Sequence, residues 1–218
     1  MEGCNMNNYT EWRQDYVSQF LSMKCAGDVL NVTAPLGAKA IKEISESMAI
    51  IQALRPIALK HPMEYYLHDL CAGNALTSVL AVHLLPIKHA TAIDIKPRSR
   101  NWADVDRFAY CRADIMEWTS VGSDIIISSH PCCETATKIV DLYLNSPQAK
   151  YLIMLPCCKG RTPPNYFPRL IQDKLTKYEQ WAVWLAERAG GTIYLDKKCI
   201  SPCNAVIVAR KRGNYVFR

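Results

Sequence analysis

Three aspartates occupy comparable positions along the chain, each at the end of a short apolar segment. Asp69 closes the first segment, Asp94 closes the second 25 residues later, and Asp114 follows the third. In a doubly wound parallel sheet, ligands bind beyond the carboxyl ends of the strands. A carboxylate at the end of the second strand can accept both hydroxyl groups of a ribose. Each acid alone is typical of a helix cap or a solvated loop, but the three in this order favour a site for a nucleoside-containing ligand.

The turn that follows Asp69 is built from small residues. It consists of Cys71, Ala72, Gly73, Asn74 and Ala75. Small side chains allow a backbone to approach a cofactor closely, and Gly73 can also adopt a positive φ. The turn lacks the full GxGxxG pattern, which makes NAD a less favoured ligand. Taken alone, the stretch also fits a plain strand-to-helix turn.

His130 follows the fourth apolar segment and should lie at the same edge of the sheet. The unperturbed pKa of histidine is about 6.5, so a neutral imidazole could take a proton from a hydroxyl or an amine near neutral pH. Alternatively, the side chain only hydrogen-bonds the backbone and shapes the pocket. Both interpretations stay open at this point.

The elements that must position these residues alternate between apolar strands and amphipathic helices. Strands are predicted at 65–72, 89–95, 107–111, 124–130 and 150–157, with helices between them at 75–85, 98–104 and 134–145. A long helix is expected from Pro168 to Gly190, and the last two strands should form an antiparallel hairpin because no helix separates them. Two N-terminal helices are predicted, one over 10–24 with Thr10 as N-cap and one from Pro35 to Pro56, where the proline should bend or end it.

The order of these elements and acids resembles that of the class I S-adenosylmethionine (SAM) methyltransferases. Asp69 and the small turn resemble motif I of that family, with Cys71 and Ala75 in place of two glycines. The resemblance implies an α/β, Rossmann-like, doubly wound, mostly parallel seven-stranded sheet with a C-terminal antiparallel hairpin, plus N-terminal helices. Residues 63–218 would form the methyltransferase domain, and residues 1–62 an N-terminal helical cap.

The same resemblance implies SAM as the cofactor. Asp94 would hold the ribose, Asp114 would contact the adenine amino group, and Ile115 would pack beside the ring. The implied cofactor-binding set is Asp69, Cys71, Ala72, Gly73, Asn74, Ala75, Asp94, Ile95, Asp114, Ile115 and Ser129. His130 is the candidate catalytic residue.

Two blocks after the fourth and fifth strands resemble one branch of that family, which includes the eukaryotic tRNA acceptor-stem 2′-O-methyltransferases. The segment that begins at His130 resembles the branch's H-x-C-G-x-x-T-D motif, although Cys133 replaces the glycine and Lys138 the aspartate. Cys157 and Cys158 resemble its later CC segment. The Asn/Asp-Pro-Pro-aromatic loop of the base-N6 enzymes is absent.

This resemblance favours RNA as the partner and places its binding residues after the same two strands. The candidate substrate residues are Pro131, Cys132, Lys159, Arg161 and Tyr166. Basic side chains there could hold phosphates, and Tyr166 could stack on a base. A small-molecule methyltransferase and a non-catalytic binding module that kept the fold are the alternatives.

The composition limits the classes of protein to which the chain can belong. The chain has 218 residues, a net charge of +6 and 50% hydrophobic residues, as expected for a globular protein that tolerates an anionic partner. No apolar run is long enough to cross a bilayer, and the N-terminus does not resemble a secretory signal, so a cytoplasmic location is expected. No obligate protein partner is indicated.

The ten cysteines are expected to stay reduced in that compartment. Two adjacent pairs follow neighbouring strands, but they lack the CxxC loop that wraps a metal ion, and adjacent strand residues point to opposite faces. The sequence therefore favours buried thiols, and no metal site is predicted.

Overall fold

The computed structural model describes residues 15–211 except 36 and 38. Seven strands form one sheet in the order β3-β2-β1-β4-β5-β7-β6. They are β1 (Tyr66–Leu70), β2 (His89–Asp94), β3 (Phe108–Arg112), β4 (Ile125–Ser129), β5 (Tyr151–Leu155), β6 (Gly191–Leu195) and β7 (Ala205–Arg210). Among the described strands, β7 runs opposite to the other six, and its pairings with β5 and β6 are antiparallel. The predicted seven-stranded, mostly parallel sheet with a terminal hairpin is confirmed.

Helices cover both faces of this sheet, which explains why most residues of its central strands are apolar, with Asp69 and Ser128 among the buried exceptions. Their bounds are α1 (Tyr16–Leu21), α2 (Ala26–Thr33), α3 (Lys39–Lys60), α4 (Leu76–Leu84), α5 (Glu134–Asn145), α6 (Arg169–Gln172) and α7 (Lys177–Arg188). Leu67 and Ile125 belong to the core under α1, α2, α3 and α4. Leu70 and Ile126 belong to the core under α5 and α7. Residues of β1 and β4 thus pack on both helical layers.

The N-terminal helices differ from the prediction in detail. Asp15 caps α1, since its Oδ1 accepts a hydrogen bond of 2.7 Å from the Ser18 N–H, whereas the expected cap Thr10 lies outside the described residues. Helix α3 does not end at Pro56 but continues to Lys60. A proline removes one intrahelical donor, yet the four residues that follow Pro56 stay helical. The division of the chain at residue 62 stays a prediction.

Two other predicted helices were wrong. The segment 98–104 contains only a 3₁₀ turn at Trp102–Asp104, because Trp102 stacks on Tyr110 of β3 with ring centroids 5.0 Å apart. The long helix after Pro168 is two helices. Thr176 starts the second with a capping box, in which its side chain accepts from Glu179 N–H and the Glu179 side chain accepts from Thr176 N–H. Within the described ranges, no helix is long and apolar enough to cross a membrane.

Candidate functional site

The turn after β1 has an unusual backbone. Cys71, Gly73 and Ala75 all have positive φ, at 62°, 56° and 62°. The left-handed conformation costs a non-glycine residue about 1–2 kcal/mol. Cys71 and Ala75, the two residues predicted to replace glycines, therefore keep a glycine-like conformation.

This turn holds Asp94 at the end of β2. The Gly73 N–H donates to Asp94 Oδ2 at 2.8 Å, and the Lys96 N–H donates to Asp94 Oδ1 at 2.8 Å. A carboxylate has about four acceptor positions, so both oxygens of Asp94 can still accept from hydroxyl groups. The contact joins the first and second strand ends into one unit.

Two cavities meet at this unit. The larger, about 470 Å³, lies between the turn and the N-terminal part of α3. Six predicted site residues line it: Cys71, Ala72, Gly73, Asn74, Ser129 and His130. Residues that were not predicted complete the lining: Lys39, Lys42, Glu43, Ser47, Leu76, Thr77 and Arg98. The α3 residues were missed by sequence reasoning. Asn74 is tied to this helix, because its Nδ2 donates to Glu43 Oε2 at 2.9 Å.

The smaller cavity, about 250 Å³, lies beside the ends of β2 and β3. Its walls contain the predicted Asp94, Ile95, Asp114 and Ile115, with Cys71 shared by both cavities. Burial raises the pKa of the Cys71 thiol to about 12, so it stays a neutral side chain at this junction. The structure thus brings the predicted contacts of all three strand ends to one continuous region.

Asp69 lies beneath the turn rather than on the wall of the larger cavity. It is 1% exposed, and neither carboxyl oxygen makes a hydrogen bond of normal geometry with any described residue. Burial raises its pKa to about 7, the charge of Asp94 adds to the rise, and Ser78 opposes it. An unsatisfied carboxyl group at this depth is costly, and a cationic or hydrogen-bonding ligand nearby would lower that cost.

His130 is held by an acid that the sequence did not reveal. Its Nε2 contacts Oε2 of Glu46 in α3, and Glu46 is fully buried. The other oxygen of Glu46 lies 3.7 Å from Lys42 Nζ. If the neutral imidazole donates its Nε2 proton to Glu46, its Nδ1 carries the lone pair, which is the arrangement required of a base.

The predicted substrate residues divide into two groups. Cys132 lies beside His130, because its thiol is 3.6 Å from the His130 carbonyl oxygen. Lys159 and Arg161 are exposed on the loop after β5 and line neither of the two cavities. Tyr166 packs edge-on against Phe167, and its hydroxyl donates to Glu187 of α7, so this ring is anchored away from both cavities. Pro131 is buried between His130 and Cys132.

No protein-family model and no curated protein matches the chain. Among solved structures, the pyocyanin biosynthetic protein PhzM aligns at 13% identity with a TM-score of 0.51, over 91% of this chain and 62% of that one. The chain has a Rossmann-like methyltransferase fold.

Two further structures align over most of the chain. Human N-acetylserotonin methyltransferase, solved with SAM, has 15% identity and a TM-score of 0.48, over 93% of this chain and 64% of that one. The B. subtilis m1A22 tRNA methyltransferase TrmK has 11% identity and a TM-score of 0.46, over 77% and 65%. The chain thus spans less than two thirds of each of these three proteins, and the likeness concerns the fold.

Proposed function

We propose that this protein is a SAM-dependent methyltransferase. The observation that carries the proposal is the hydrogen bond from Gly73 N–H to Asp94, within a turn whose alternate residues have positive φ. This arrangement joins the Gly73 backbone on the wall of the larger cavity to the Asp94 carboxylate on the wall of the smaller one, and a carboxylate at this strand end can accept ribose hydroxyls. A plain strand-to-helix turn has no need of two strained non-glycine residues.

The residues of the two cavities fit the parts of SAM. Ile95 and Ile115 offer apolar surface for a flat base, and Asp114 offers a carboxylate for its amino group. Asp94 would accept the ribose hydroxyls, and Lys39 and Lys42 at the larger cavity would attract the carboxylate of the methionine part. When bound, SAM supplies an electrophilic methyl group.

We assign the proton transfer to His130. The group that receives a methyl group must lose a proton if it is a hydroxyl or an amine, and Nδ1 of His130 is the available base. Glu46 fixes the ring through Nε2 and would stabilise the imidazolium that forms, as a buried carboxylate does for a catalytic histidine. Most of the acceleration would come from the alignment of the two reacting groups.

RNA is the proposed substrate class. The resemblance of the segments after β4 and β5 supports it, and so does the basic surface around the site, formed by Lys39, Lys42 and Arg98 at the cavity and by Lys159 and Arg161 on the nearby loop. The Tyr166 hydroxyl donates to Glu187, and stacking of this ring on a base stays a prediction.

Two measurements test the proposal. Calorimetry with SAM and with its demethylated product should show binding, and the absence of binding at millimolar ligand would exclude the cofactor. Transfer of labelled methyl groups from SAM should then be measured on total RNA, protein and metabolite pools, with the His130→Ala variant as a control. Label in RNA supports the full proposal, whereas label only in metabolites would replace RNA by a small molecule. SAM binding without transfer to any pool would indicate a non-catalytic module.

A further inference from the structure

Three thiols converge where the chain leaves the two central strands. The same tripeptide, Pro-Cys-Cys, follows both β4 and β5. The sulfur atoms of Cys132 and Cys157 lie 3.1 Å apart, those of Cys157 and Cys158 3.2 Å, and those of Cys158 and Cys132 3.5 Å. We propose that this thiol triad, Cys132, Cys157 and Cys158, binds a Zn²⁺ ion.

The positions of the three residues depend on the strand register. Ser129 pairs with Leu155 at the ends of β4 and β5, and the His130 N–H donates to the Leu155 carbonyl at 3.0 Å. The two Pro-Cys-Cys segments therefore start side by side. Cys157 and Cys158 lie beyond the end of β5, so the alternation of side chains along a strand does not separate them. The expectation of buried thiols rested on that alternation and on the absence of a CxxC loop.

The spacing suits a tetrahedral ion. Zn–S bonds of about 2.3 Å in a tetrahedral site place sulfur atoms about 3.8 Å apart. The thiol triad needs only a small outward movement to reach this spacing, and loop residues can supply it. Thiolates also select soft metals, among which Zn²⁺ prefers four-coordinate sites.

The chemistry of the unbound thiols agrees with this assignment. The three sulfur atoms of the triad contact one another within 3.5 Å. Its thiols are weak donors, and their contacts are with one another and with the His130 carbonyl oxygen, 3.4 Å from Cys157 Sγ. Coordination would replace these contacts and release the thiol protons to solvent.

Three protein ligands leave a fourth position. Cys132 is exposed, so water can complete the coordination. The ion would join the loops that follow β4 and β5 and would hold the backbone of His130 in place. This inference does not depend on methyltransferase activity, because metal content is measured directly.

Metal analysis of the full chain tests the inference. The protein should be purified without chelators, under reducing conditions, and analysed by plasma mass spectrometry. We expect one zinc per chain in the unmodified protein and in Cys133→Ser, a matched control, since Cys133 is exposed and its thiol points to the Lys159 carbonyl oxygen. Cys132→Ser and Cys157→Ser should lose stoichiometric zinc.

A second measurement tests the site even if a cysteine variant folds poorly, because it starts from the wild-type protein. Metal-free wild-type protein should be titrated with Co²⁺, and thiolate coordination should give charge-transfer absorption that Cys133→Ser retains and Cys158→Ser loses. Circular dichroism should confirm that each variant is folded. Absence of zinc together with absence of Co²⁺ uptake by fully reduced protein would overturn the site. A Cys132–Cys157 disulfide in freshly isolated protein, or an equimolar metal other than zinc, would overturn it as well.

Discussion

Replacement of Asp69 by asparagine should change how the stability of the protein depends on pH. The carboxyl group is buried, has no hydrogen bond of normal geometry with any described residue, and has a pKa raised by burial from 3.8 to about 7. In the unfolded chain it ionises near its ordinary value. Between these two pKa values the folded protein therefore binds a proton that the unfolded chain has released.

The sign and size of the effect follow from this difference. Because the folded-state pKa is raised, the free energy of unfolding falls as pH rises from about 4 to about 7 and is constant above. At about 1.36 kcal/mol per pKa unit, the rise from 3.8 to about 7 corresponds to about 4 kcal/mol, a large share of a typical domain stability. The Asp69→Asn variant cannot ionise at this position, so it should lack this component.

Urea unfolding at one-unit pH steps from 4 to 8 measures the component directly. The free energy of unfolding of Asp69→Asn, minus that of the wild type, should increase by about 1.4 kcal/mol per pH unit up to about pH 7 and then level off. The buried amide adds an offset that does not depend on pH, so only the slope carries the argument. Asp106→Asn, at an exposed acid, serves as the control. Parallel curves for Asp69→Asn and wild type would refute the raised pKa.

Further substitutions test the site. Asp94→Ala should weaken SAM binding about 10- to 100-fold in calorimetry, since charge-assisted hydrogen bonds are worth about 1.5–3 kcal/mol, and unchanged affinity would place the ribose elsewhere. Gly73→Ala, at φ 56°, should lower the free energy of unfolding by about 1–2 kcal/mol in urea. As a control, Gly27→Ala inside α2 should raise it by about 0.5–1 kcal/mol. Equal effects would contradict the positive φ at Gly73. In labelled methyl transfer, His130→Ala should be about 10²–10⁴-fold slower, and Glu46→Gln should show a smaller loss with SAM affinity unchanged. A Glu46→Gln variant as fast as wild type would leave this carboxylate a purely structural role.

The sheet could be predicted because its signals are local. Each strand is a short apolar run with a polar residue or turn at its end, and the absence of a helical segment between β6 and β7 predicted their antiparallel pairing. The positions of Asp94 and Asp114 at strand ends could be predicted for the same reason. The capping box at Thr176 was equally local, but the helical stripe that spans it obscured the break between α6 and α7.

Glu46 could not be predicted, because its environment depends on contacts distant in sequence. Its place between Ser45 and Ser47 is typical of a solvated helix face. In the structure, this stretch of α3 is buried on all sides. Strands β4, β5 and β7 pack against the helix, and the β6–β7 connection covers it as well. In that connection, the Ile200 N–H donates to Ser45 Oγ at 2.7 Å. The pairing of Glu46 with His130, 84 residues away, is therefore a product of tertiary structure.

The turn after β1 shows why the glycine pattern is an incomplete guide to such sites. A glycine is favoured where φ is positive, but Cys71 and Ala75 adopt that region at a cost of about 1–2 kcal/mol each. Strain of this kind persists only where the surrounding structure enforces it, and it is concentrated at functional sites. Here the enforced shape directs the Gly73 N–H to Asp94 and leaves Cys71 between the two cavities. The backbone conformation, rather than the identity of the residues, is thus the feature on which the proposed binding of a cofactor by this turn rests.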